Sequence, residues 1–150
     1  MSHHHQNVMS EVESFFKSHT FIKSAFATVV AAGLDNYIND ESRITNSIVL
    51  TRNASFGLLV GGSIIAADYI APKLTHIIPI PDTALFSGKT LEHRLIEVSL
   101  GTSLAVGLNR FAFQQSVGSV INQIGIVVLA DFVGEYAADY IKSKPLSYLS

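Results

Sequence analysis

Asp131, Glu135 and Asp139 stand four residues apart. On a helix that spacing lines three carboxylates along one face. Acids inside an otherwise apolar helix serve either a proton or cation path or a set of buried ion pairs. In a paired-hairpin protein the path would run past Asp68, Asp131, Glu135 and Asp139. The preferred reading is the ion pair, with Arg110 or Arg94 as partner of Asp131, because no ligand set for transport is evident. The histidines offer less. His3, His4 and His5 form a polar tail, and His19, His76 and His93 are scattered without a His-x-x-x-His or Glu-x-x-His pair. No metal site and no cofactor is expected from that spacing. Gly57-x-x-x-Gly61-Gly62 lacks the Gly-Lys-Ser/Thr of a phosphate loop, and Ser87-Gly88-Lys89-Thr90 lacks the upstream glycine. Asn53-Ala54-Ser55 matches a glycosylation sequon, but it falls where an apolar segment begins, so its use is not expected. No Ser/His/Asp set or carboxylate pair has catalytic spacing, and the chain reads as a non-enzyme with no catalytic residues.

Composition narrows the classes further. Of 150 residues, 48% are hydrophobic and only 15% charged, so the chain has a core to bury and is not disordered. Ten basic against twelve acidic residues leave no basic field for nucleic acid. The absence of cysteine excludes disulfides, thiolate zinc sites, iron–sulfur clusters and a cysteine nucleophile.

Four apolar segments must position the acids: A (Thr20 to Ile38), B (Asn53 to Ala71), C (Leu91 to Phe113) and D (Ser116 to Ile141). Each is long enough for a helix, and none alternates like a half-buried strand. Ser10-x-x-Glu13 is a capping-box pattern for a short helix near Glu11, and Thr90 is a candidate cap for segment C. Pro72 and Pro145 are expected to close segments B and D. Between B and C, Ile77 to Asp82 reads as an extended linker.

The sequence also repeats. Ala66 to Ile70 recurs as Ala137 to Ile141, and Ala31 to Tyr37 resembles Ala105 to Phe111 at a similar offset. The expected architecture is all-α, a four-helix bundle of two tandem-duplicated hairpins. It forms a single domain over 1–150, with a polar N-terminal segment 1–19, repeats at about 20–71 and 91–141, and a linker over 72–90.

Two environments compete. The uncharged runs are shorter than a bilayer span in three segments, which suits a soluble four-helix interaction module. Three features favour the membrane. Lys23 can snorkel, with Asp35, Asp68, Arg110 and Asp139 at headgroup depth. Small residues recur four apart, with Gly57, Gly61, Ser103, Gly107, Ala130 and Gly134 as candidate helix-packing positions. The polar stripes are narrow. Lys17, Lys23, Lys73, Lys89, Arg94, Lys142 and Lys144 fall on one side, and Arg43, Arg52 and Arg110 on the other. That asymmetry predicts four spans with both termini on the cytoplasmic side. Tyr37, Tyr69 and Tyr140 sit at segment ends, as an aromatic belt requires. The first twenty residues are polar, so segment A is expected to act as its own signal.

The architecture of segments A to D resembles the small multi-spanning proteins of the internal membrane of large icosahedral DNA viruses, some of them minor capsid proteins. The resemblance implies a structural role in a larger assembly, with lipid, other subunits and further copies of the chain as expected partners. A small transporter or channel protomer is the alternative.

Overall fold

A computed structural model describes residues 11, 18–39, 47–74 and 91–143. Four helices account for nearly all of them: α1 (His19–Asn39), α2 (Ser47–Leu74), α3 (Leu91–Leu108) and α4 (Val120–Ser143). No strand occurs among the described residues. The chain is an all-α four-helix bundle. The capping box at Ser10, the Thr90 cap, His76 and the Ile77 to Asp82 linker lie outside the described residues.

The helices run up, down, up, down. α1 packs along α2 and α4, α2 packs along α3, and the seam between α3 and α4 is the thinnest. α1 therefore lies diagonally across from α3. Close approach to α1 rests on small residues. A Cβ at Gly57 or Gly61 would run into Thr28, and one at Gly134 would run into the Lys23 backbone. Ala130 is fully buried at the same level of the core. Ser103 and Gly107 are placed differently: Ser103 is exposed, and a Cβ at Gly107 would meet open space. Neither of these expected packing positions is tightly enclosed within the bundle.

Three boundaries differ from the expectation. α2 starts at Ser47, one and a half turns before Asn53, and continues through Pro72 to Leu74. A proline this close to a helix end breaks only the bond to the carbonyl four residues back, that of Asp68, so the last turn survives it. Segment C ends in a π-helical turn over Asn109–Phe113. Gln114 then adopts a left-handed conformation with φ of 50°, its N–H donating to the Asn109 carbonyl. The Asn109 side chain holds this turn, since its Oδ1 accepts from the N–H groups of Gln115 (2.8 Å) and Ser116 (2.9 Å). Segment D accordingly becomes helical at Val120, later than expected.

The interior has three layers. The middle is apolar and closely filled by Ala27, Ala31, Phe56, Val60, Ile64 and Ile126, with Val127 and Ala130. A second polar layer lies beyond it toward the C-terminal end of α1. There the buried Asp35 carboxylate accepts from Asn53 (2.6 Å), Ser116 (2.6 Å) and Asn39 (2.9 Å). Gln123 is fully buried beside it and donates to the Gly118 carbonyl at 2.8 Å. The third layer, at the N-terminal end of α1, is ionic.

Candidate functional site

Lys23 is the centre of the ionic layer. Its side chain is fully buried, and it points inward from the second turn of α1. Four carboxylates from the three other helices face its ammonium group. Asp68 of α2 lies at 2.9 Å, Glu135 of α4 at 3.2 Å and Asp131 of α4 at 3.5 Å, and Glu97 of α3 pairs with it across the diagonal. The expectation that Lys23 snorkels to an interface is therefore corrected. A lysine stem can lie along apolar surface while its charged head finds a polar environment, and here four carboxylates provide that environment inside the bundle.

Arg94 supplies the second permanent cation. Its guanidinium donates to Glu97 at 2.7 Å and to Asp131 at 2.8 Å. The Arg94–Asp131 pair bridges the thin α3–α4 seam. Phe132, half exposed, places its ring 5.1 Å from the guanidinium carbon and covers it from outside. Such a cation–π contact is strongest where water is excluded. Arg110 is elsewhere, donating to the Gly118 carbonyl at 3.4 Å, so of the two arginines considered as the Asp131 partner it is Arg94 that meets the acid.

The rim of the layer carries two histidines. His19 Nε2 lies 2.8 Å from Asp139 Oδ1 and 3.9 Å from Glu135 Oε2. His93 Nε2 lies 3.1 Å from Glu97, one turn along α3. Thr20 adds a hydroxyl donor to Asp68 at 2.9 Å. Thus Asp68, Asp131, Glu135 and Asp139, the residues of the expected polar path, converge on one layer at one end of the bundle. They do not line a route from end to end, because the apolar middle separates them from the Asp35 layer.

Sequence reasoning named the acids and missed most of their partners. Glu97, Lys23 and His19 carry no local motif. One signal does exist in the repeat. The register that lays Ala105 to Phe111 over Ala31 to Tyr37 also lays His93 over His19, Glu97 over Lys23 and Asn109 over Asp35. All six are residues of the two polar layers. The positive charge count also changes, since Lys23 and Arg94 are internal. Among the described residues the exposed cations are Lys73 and Lys142 at one end and Arg110 at the other, where Arg52 is partly buried.

Two helices are long and apolar enough to cross a membrane: Ser47–Leu74 with a mean hydropathy of 1.5 and Val120–Lys142 with 1.4. No protein-family model, curated protein or solved structure matches the chain.

Proposed function

We propose that the chain is a structural integral membrane protein, a four-span bundle that scaffolds a larger assembly. The observation that carries this reading is the inverted distribution of side chains. Val29, Leu58, Ile121, Leu129, Phe132 and Tyr136 are half exposed or more, whereas Lys23, Glu97, Asp131 and Glu135 are buried. A bundle in water places its charges outside and its large apolar groups inside. Lipid removes the penalty on the apolar surface and imposes one on any charge that faces it. Exposed tyrosines at both ends support the same placement, Tyr37 at one and Tyr69 and Tyr140 at the other. At about 1.5 Å per residue, α2 reaches roughly 42 Å, enough for a hydrocarbon core of about 30 Å with tilt.

The scaffold role rests on the closely filled apolar middle, which leaves the polar layers as internal fastenings. The outward Ser103 and Gly107 face of α3 is then available to a neighbouring subunit or a second copy. A minor capsid or internal-membrane protein of a large virus is the setting suggested by the resemblance in architecture. Both termini lie on one side in this reading. The convergence of Asp68, Asp131, Glu135 and Asp139 favours a second reading, a transporter protomer. In that case Asp131→Asn abolishes ion flux into proteoliposomes, and an inactive wild type excludes it. Alkaline carbonate extraction tests the first reading. The protein is expected to stay in the membrane pellet until detergent is added. Release by carbonate as a folded species contradicts it and leaves a soluble interaction module.

A further inference from the structure

We propose that His19, Glu135 and Asp139 form a binding site for a divalent first-row transition metal ion, at the rim of the ionic layer. One ligand atom from each residue lies within 4.8 Å of the others. Imidazole nitrogen and carboxylate oxygen are both ligand types that zinc and its neighbours take, and three protein ligands leave a position open for water. The fold assembles the set from distant parts of the chain. Glu135 and Asp139 share a face of α4 one turn apart. His19 opens α1, and Gly134 lets the α1 backbone approach α4 closely enough to bring the ring onto the two acids.

A further observation points to a cation there. Asp139 directs Oδ1 at His19, while its Oδ2 is enclosed and has no hydrogen-bond partner. A metal shared with His19 would use the carboxylate that this contact already orients. The His19 and Asp139 side chains are each 23% exposed, so an ion can reach the site from outside. Binding through Nε2 requires the neutral imidazole, so any proton on that nitrogen leaves as the metal enters. The site does not depend on the membrane reading.

The test uses the full chain with His3→Ala, His4→Ala and His5→Ala, which removes the N-terminal histidines as competing ligands. Protein in mild detergent is stripped with chelator, titrated with Zn2+ and gel-filtered. Bound metal is counted by mass spectrometry, and the thermal midpoint is read with and without Zn2+. The expected result is about one Zn2+ per chain and a higher midpoint when it is bound. His19→Ala and Asp139→Asn are each expected to weaken binding by more than about tenfold and to abolish the midpoint shift. His93→Ala leaves both readouts unchanged. Absence of Zn2+ binding in the parent overturns the proposal and leaves His19 as a hydrogen-bond partner of Asp139. Binding that survives His19→Ala and Asp139→Asn overturns it as well.

Discussion

At the scale of single residues, the ionic layer is a set of mutual dependencies. Lys23 neutralises carboxylates from three helices, so its removal leaves several buried charges facing one another. Breaking a buried pair from one side costs about 3–5 kcal/mol. Lys23→Met is expected to destabilise the bundle by at least that much, measured as loss of thermal midpoint or of denaturant resistance. A variant as stable as the wild type would show that the layer is not needed for folding. The acids were legible beforehand, because Asp131, Glu135 and Asp139 repeat at helical spacing within an apolar segment. The partners were not. Lys23 lies near the start of its segment, where a lysine ordinarily reaches water. Its inward turn depends on three other helices that no local pattern reveals.

At the scale of elements, the four segments were readable from apolar length, and their ends less so. α2 passes through Pro72 because a proline in a last turn removes one hydrogen bond and leaves the earlier ones intact. The π-turn at Asn109–Phe113 has no sequence signature, and its left-handed exit falls on Gln114 where glycine would be expected. A non-glycine residue in that region costs roughly 1–2 kcal/mol. Gln114→Gly is therefore expected to raise stability by about 1 kcal/mol, read by thermal unfolding. No gain would show that the side chain compensates for the backbone. The small-residue stripes divide into two kinds. Gly61 and Gly134 sit against α1 with no room for a side chain, and Gly107 faces open space. Gly61→Leu and Gly134→Leu are expected to prevent a monodisperse bundle from forming, with Gly107→Leu leaving the isolated bundle intact. Gel filtration and circular dichroism separate these outcomes. An intact Gly134→Leu bundle would contradict the α1–α4 approach.

At the scale of the whole molecule, buried charges and exposed large apolar side chains occur together around an apolar middle. Composition alone, poor in charge and apolar overall, left the choice between lipid and water open. The fold places Lys23, Arg94, Glu97, Asp131 and Glu135 in one interior layer and Asp35 in another, with an apolar layer between them. The Gly content that weakens helices in water, together with Ala and Ser, lets these helices pack closely enough to make those layers.

The account rests on the exposed apolar side chains meeting acyl chains, and the chain offers a clean probe because it contains no tryptophan. Val29 on α1 and Leu129 on α4 are outward-facing, at 72% and 53% exposure. The most direct measurement is fluorescence of Val29→Trp and Leu129→Trp reconstituted in vesicles containing brominated lipid. Strong quenching by bromine on the acyl chains, with aqueous iodide ineffective, is the expected result. Quenching by iodide alone would place both surfaces in water and contradict the membrane-embedded bundle.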